Sequence, residues 1–331
     1  MTITNLNDVP VQEVPAEEVF DENLYYLSRE GDIPFWDHPL MYGYPKLPKH
    51  YYPYTTKAEV LQAYKRSKIK EQDFMILKVL GDAIAANEDQ LRRYLSSQMS
   101  RSEVSKRLDL LRRNGFVDRW HCRLEKDETE EFRPPAPFTL GVAGFKLMKH
   151  FYSACPFMNP DSWDKTNAKA IQRYVAMNEL RCALVESKTI KGWQWNAVIG
   201  NHRRFRTPMG VANIETPKGQ INFVIERPQM SQNFIGYLKE TLKQWTSIFD
   251  NYGTFPIQKA PENSPVVVIY ASTVSLAEHI HNSLMLDQYP FQVWLCIEEY
   301  MEKDGLEKAF MTPKGETLQR IKLPFLKKIS D

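Results

Sequence analysis

The 331-residue chain is 43% hydrophobic and 25% charged, and its 43 Lys and Arg residues nearly cancel 41 Asp and Glu residues. Such values describe an ordinary globular protein long enough for two domains, and they exclude a uniformly basic nucleic-acid coat, so any surface for a polyanion has to be local. The four cysteines (Cys122, Cys155, Cys182 and Cys296) stand far apart with no Cys-x-x-Cys pair, which argues against a zinc site or disulfide frame and for reduced thiols in a cytoplasmic protein. No basic-then-apolar leader occurs, and no apolar run approaches the roughly 18 residues of a membrane span, so no membrane partner is expected.

Met1 to Glu18 is polar and acidic and predicts a disordered or extended segment. From Phe20 the composition changes. Tyr25, Tyr26, Phe35, Trp36, Tyr42, Tyr44, Tyr51, Tyr52 and Tyr54 are interleaved with Pro34, Pro39, Pro45, Pro48 and Pro53. The prolines block a long helix and the rings need a surface to lie on, so residues 1–55 read as an arm packed across its own chain or a dimer mate. Stacking on nucleic-acid bases is the alternative, with Lys46 and Lys49 as its only clustered positive charges.

Lys57 to Lys70 predicts a helix that leads into a three-helix unit. Phe74, Leu77, Val79, Leu80 and Ile84 form an apolar face at helical spacing. Asn87, with Gln90 three residues on, opens the next helix, and Leu91, Tyr94 and Leu95 supply its inner face. Ser100-Arg-Ser-Glu103 predicts a capping box and a third helix. Val104, Leu108 and Leu111 give that helix one dry side, while Ser102, Lys106, Asp109 and Arg113 fall on the other, flanked by Arg101 and Ser105. Asn114-Gly115 stops it, and Phe116 to Leu124 alternates as a strand. Counting Glu88 to Arg123, nine basic residues face five acidic ones, an excess suited to phosphates.

A hairpin should then turn between Leu124 and Phe138. Its tip carries five acids from Glu125 to Glu131, and a phosphate backbone would repel it. Phe138 to Leu140 is the return strand, Ala143 to Tyr152 a helix, and Pro156 to Pro160 a boundary. Lys165 to Ser187 predicts one long helix, and Trp193 to Trp195 the start of a strand. Asn201 to Arg206 is a short basic loop containing His202. Strands at Gly210–Glu215 and Gln220–Glu226 are joined at Thr216-Pro-Lys-Gly219, a good turn. A helix over Ser231–Asn251, a central strand at Val266–Tyr270, a helix at Leu276–Leu284 and a last strand at Phe291–Ile297 complete an α/β sandwich with parallel late strands.

The stretch SRSEVSKRLDLLRRNGFVDR resembles the winged helix-turn-helix domains of MarR-like bacterial regulators, in which the third helix enters the major groove and the following strand pair forms the wing. The longer span from Gln72 to Glu299 resembles the plasmid replication-relaxation family, on Tyr174-Val-Ala-Met-Asn-Glu-Leu180, Phe223-Val-Ile-Glu226 and the strand-helix-strand from Val266 to Ile297. That resemblance implies a winged helix followed by a restriction-endonuclease-like domain. Such domains hold Mg²⁺ between an acid on one strand and a Glu-x-Lys on the next. Glu226 could be the Glu, but Met209 follows Pro208 where the Asp should stand, and Pro228 replaces the Lys. Glu215, the remaining candidate carboxylate, lies near the Thr216 turn. The site reads as catalytically degenerate, with Glu226 paired to Arg227, Arg203, Arg204 or Arg206. His279 and His281 sit two apart on a helix and point to different faces, and His121 lies on the wing strand.

The expectation is therefore an α+β chain in three parts: an extended arm (1–55), a winged helix-turn-helix domain (56–155) and a restriction-endonuclease-like α/β domain (156–331) for dimerisation or partner binding. It implies no resident metal or cofactor. Its partners would be double-stranded DNA, a second copy of the chain, and replication, transfer or transcription proteins of a plasmid, phage or conjugative element. Arg101, Ser102, Ser105 and Lys106 would face the groove, with Arg92, Arg93, Arg112, Arg113 and Arg119 on phosphates. The alternatives are a metal-dependent nuclease using Glu226 and Glu215, and an assembly component that DNA binding merely localises.

Overall fold

The computed structural model describes residues 26–124, 134–200, 205–228 and 233–329, with the backbone alone at 164–169. Met1 to Tyr25, the acidic hairpin tip and His202 with Arg203 and Arg204 lie outside the described residues. The fold is a mixed α+β one with two sheets.

The first half begins with strand β1 (Met41–Pro45), helices α1 (Lys57–Lys65) and α2 (Glu71–Ala83), strand β2 (Ala85–Asn87), and helices α3 (Glu88–Tyr94) and α4 (Arg101–Arg113). Strands β3 (Val117–Leu124) and β4 (Pro137–Leu140) and helix α5 (Val142–Phe151) follow. Local chemistry places most of these ends. Thr56 with Glu59, and Asn87 with Gln90, close capping boxes at α1 and α3. At α4 the box is only half made: Ser100 Oγ accepts from the Glu103 N–H at 3.2 Å, and the reciprocal bond from Glu103 is not formed. Helix α1 stops at Lys65 rather than Lys70, because the chain passes through a left-handed residue at Ser67 (φ 56°). Gly115 ends α4 at φ +72°, and a Cβ there would also meet Pro53 Cβ at 2.8 Å. Leu77, Leu80, Leu91, Leu95, Val104, Leu108 and Leu111 fuse into one core with Phe116 and Leu147.

The four-stranded sheet runs β1-β3-β4-β2. Strand β3 changes partner along its length: Val117 to Arg119 pair with β4, whereas Trp120 to Leu124 pair with β1 of the arm. The arm therefore packs on its own chain over these residues.

The second half begins with α6 (Trp163–Glu186) and strands β5 (Ile190–Trp195), β6 (Gly210–Thr216) and β7 (Gly219–Glu226). Next come α7 (Phe234–Tyr252), β8 (Ser264–Ala271), α8 (Val274–Leu284), β9 (Val293–Ile297), α9 (Glu298–Asp304), β10 (Phe310–Lys314) and β11 (Thr317–Ile321). The seven-stranded order is β11-β10-β9-β8-β7-β6-β5, with β7, β8 and β9 parallel and β8 central. Two expectations are corrected here. Trp193 to Trp195 closes β5 rather than opening it, and β9 is followed by α9 and a further hairpin, β10–β11. Within that hairpin only Phe310 and Met311 are buried, and it lacks the apolar run that marks a central strand.

Helix α6 joins the halves. Met177, Leu180 and Leu184 enter the core of the seven-stranded sheet, while Ile171 and Val175 pack with Phe35, Met41, Ala85, Trp120 and Trp163. Its Asn178, fully buried, holds the end of α2. There Ile84 adopts φ 67° and ψ −58°, a conformation that costs a β-branched residue about 1–3 kcal/mol. Asn178 Nδ2 donates to the carbonyls on either side of it, Ala83 at 2.9 Å and Ala85 at 2.8 Å. Trp195 Nε1 donates to the Asp82 carbonyl at 2.6 Å, so two carbonyls freed by the helix end, and that of Ala85 at the start of β2, find donors in the second half. Asn178→Ala leaves two of them without that donor. It is expected to lower stability by about 2–3 kcal/mol, read as a drop in the denaturation midpoint, because unpaired buried polar groups cost about 1–3 kcal/mol each.

Candidate nucleic-acid interface

Helix α4 lies against α2, α3 and β3 through Val104, Leu108 and Leu111, and leaves Arg101, Ser102, Lys106, Asp109 and Arg113 exposed. Lys106 and Arg119 are exposed and form no ion pair among the described residues. Arg101 contacts Asp89 at 2.5 Å, and Arg113 pairs with Asp109 on the next turn. Both bridges are solvent-exposed, a class worth at most about 1 kcal/mol, so either arginine can exchange its carboxylate for another anion. Ser105 is half-buried: its hydroxyl donates to the Arg101 carbonyl at 3.0 Å and accepts from Arg92, which also pairs with Glu88.

Two arginines counted in the basic excess are turned inward. Arg93 pairs with Glu179 and Glu186 of α6, which corrects its assignment to a phosphate. Arg107 forks onto Asp73, whose other role is to accept the Lys70 N–H at the start of α2. Sequence spacing puts both on the helix surface, but only the packing of α3 on α6 and of α4 on α2 supplies their carboxylates. Arg112 stays at the rim and donates to the Lys46 carbonyl at 2.5 Å. Burial, and after it the neighbouring Arg119 charge, pushes the Arg112 pKa down.

The second candidate lies where β7, β8 and β9 end, the edge at which parallel sheets commonly take ligands. Glu226 is 2% exposed and meets Arg173 of α6 at 2.5 Å rather than the neighbouring Arg227, while Arg203 and Arg204 lie outside the described residues. Burial raises its pKa, with Arg173 opposing. Arg227 instead bonds Asp37 of the arm at 3.1 Å and Glu298 at 2.9 Å, with its guanidinium 4.6 Å from the Tyr270 ring centre. Burial works against the Arg227 charge, but Asp37 and then Glu298 outweigh it and hold its pKa above the ordinary arginine value. Arg173, Glu226, Pro228, Phe234 and Tyr237 line a cavity of about 160 Å³.

The two carboxylates considered for a metal are not brought together. Glu215 stands opposite Gln220 near the hairpin turn, whereas Gly210 stands opposite Ile225, so Glu226 lies at the far end of the same pair of strands. At about 3.4 Å per residue the separation is roughly 20 Å, beyond any single ion. Glu215 is exposed and pairs with Lys191 at 2.6 Å. Met209 is buried beside Glu226, and no group of three His, Cys, Asp or Glu fit to hold a metal occurs among the described residues. His281 is buried with Nε2 2.9 Å from the Gly315 carbonyl, while His279 packs near Phe234.

No family model matches the chain, and no curated protein matches it. Among solved structures, the restriction endonuclease FokI bound to DNA is similar at 10% identity and a TM-score of 0.27, over 70% of this chain. The match spans 43% of the FokI chain. No helix among the described residues is long and apolar enough to cross a membrane.

Burial, opposed by Arg227 and reinforced by Asp37 and Glu302, pushes the Glu298 pKa from 4.5 up to about 7. The folded chain therefore holds this proton more tightly than the unfolded chain, so the contribution is full below about pH 4.5 and is lost as pH rises to about 7. Glu298→Gln should remove that loss. The midpoint of the wild type should fall relative to the variant between pH 4.5 and 7 and run parallel above it, as thermal denaturation at several pH values will show.

Proposed function

We propose that the chain binds double-stranded DNA through a winged helix-turn-helix formed by residues 71–140, with α4 entering the major groove. The observation that carries this reading is the division of α4 into two faces. One is locked by Val104, Leu108 and Leu111, and the other exposes Arg101, Ser102 and Lys106 to solvent. The element order α2-β2-α3-α4-β3-β4, with β4 seated between β2 and β3, supports it. Arg101 and Lys106 are the base readers in this reading, since long cationic side chains reach the acceptors of guanine, and Ser102 can serve either donor or acceptor edges. Arg113 and Arg119 take phosphates, with Arg112 beside them.

The second half is read as a restriction-endonuclease-like platform for self-association or partner binding in a replication-relaxation-type protein of a mobile element, without catalysis of its own. The separation of Glu215 from Glu226 and the Arg173 bridge support that part. Supercoiled plasmid incubated with the purified protein and Mg²⁺ or Mn²⁺ should stay intact. Nicking that disappears in Glu226→Gln would replace this reading with the nuclease one.

The DNA-binding reading is tested on a duplex selected by the protein from a randomised library. Arg101→Ala with Lys106→Ala should weaken binding by about 1–3 kcal/mol for each base no longer read, measured by gel-shift titration. Undiminished affinity for the selected duplex removes α4 from the interface.

A further inference from the structure

We propose that the arm segment 46–54 forms a clamp for the phosphate backbone beside the groove occupied by α4; this rests on the DNA-binding reading. The segment is fastened to α4 and β3 at both ends. The Lys46 N–H donates to the Arg119 carbonyl at 2.8 Å, the Tyr52 N–H to the Arg113 carbonyl at 2.9 Å, and the Tyr54 N–H to the Asn114 carbonyl at 3.2 Å. Tyr54 also meets Phe116 edge-on at 5.7 Å between ring centres. Between these fastenings the chain displays Lys46 and Lys49, both exposed and without an ion pair among the described residues, and Tyr52 at 74% exposure.

Basic residues adjoin one another here. The Lys46 backbone lies between Arg112, which donates to its carbonyl, and Arg119, whose carbonyl accepts its N–H. Burial followed by the charge of Arg119 already disfavours the Arg112 cation, and Asp109, which offsets part of this, is engaged by Arg113. Asp118 is half-buried and pushed up to about 6 by burial, so it contributes less than a full negative charge near that pH. Like charges held together at a surface by fixed backbone bonds are costly until an anion arrives, and a polyanion answers several at once.

The lengths agree with this placement. Helix α4 has 13 residues, about 20 Å at ~1.5 Å per residue, whereas the major groove is about 12 Å wide. With the first turns of α4 between the strands, its C-terminal end extends over a flanking sugar-phosphate chain. That is the end to which Tyr52 and Tyr54 are bonded. The hairpin tip that follows β3 carries five acids from Glu125 to Glu131 and is unsuited to this task, which the arm's lysines and the Tyr52 hydroxyl can perform. Because the segment is fastened before DNA arrives, little ordering cost remains for binding.

Phosphate contacts are sequence-independent, so the test uses the full chain and a fluorescent 30-base-pair duplex of mixed sequence, with anisotropy titrations from 50 to 200 mM KCl. Lys46→Gln with Lys49→Gln should lower the slope of log affinity against log salt by about 1.8, at ~0.9 per phosphate contact. Lys239→Gln with Lys243→Gln, the same charge change on exposed positions of α7, should leave the slope unchanged. Thermal denaturation confirms that each variant is folded. A slope in the Lys46/Lys49 variant equal to wild type, while Arg101→Ala with Lys106→Ala still weakens binding, overturns the clamp and leaves the α4 reading standing. Salt-insensitive binding by the wild type overturns both.

Discussion

Helix α6 has to satisfy two cores at once, and the rest of the structure depends on how it does so. A helix of 24 residues presents more than one face, and here each face is claimed. Met177, Leu180 and Leu184 belong to the seven-stranded sheet, whereas Ile171 and Val175 belong to the cluster around Trp120. Between them Asn178 and Arg181 donate to the loose carbonyls at the end of α2, and Glu179 and Glu186 draw Arg93 of α3 inward. The packing of α3 on α6 turns that side of the helical unit toward the sheet domain and leaves the outer face of α4 in solvent.

That geometry also decides which charges reach the surface of a chain whose net charge is only +2. Arg93 and Arg107 are spent on internal carboxylates, and Glu179, Glu186 and Asp73 are spent with them. What remains exposed near α4 is Lys106 and Arg119, with Arg101 and Arg113 in weak exposed bridges to Asp89 and Asp109, joined by Lys46 and Lys49 of the arm. The field in front of α4 is thus a product of tertiary pairing, and ionic strength should govern it because these charges are exposed.

The end of the parallel strands shows the opposite use of charge. Asp37, Arg227 and Glu298 are withdrawn from water together, and Arg173 with Glu226 beside them. Buried pairs of this kind add little net stability compared with apolar packing, but losing one partner is costly. Their effect is to fix where the arm crosses the sheet end, since Asp37 is the arm's contribution to the network. From there β1 continues to β3, so one strap is attached at the sheet end and beside α4.

Much of the local structure could be read from residue order alone. The start of α3 at Asn87, the stop of α4 at Gly115, the hairpin through Thr216 to Gly219 and the central apolar strand β8 follow from caps, left-handed glycine and hydrophobic period, which act over a few residues. The dry face of α4 was legible for the same reason. What the order of residues could not show is which distant group each charge would meet. Arg93 and Arg112 each belong to a Leu-Arg-Arg triplet near a helix end, yet one meets α6 and the other the arm. Glu226 found Arg173, 53 positions away, rather than its neighbour. The pairing of β1 with β3, the strained turn at Ile84 and the β10–β11 hairpin likewise emerged only in three dimensions. Strand partners and ion-pair partners are chosen by long-range packing, and a period of two or 3.6 residues says which side is dry without saying what lies against it.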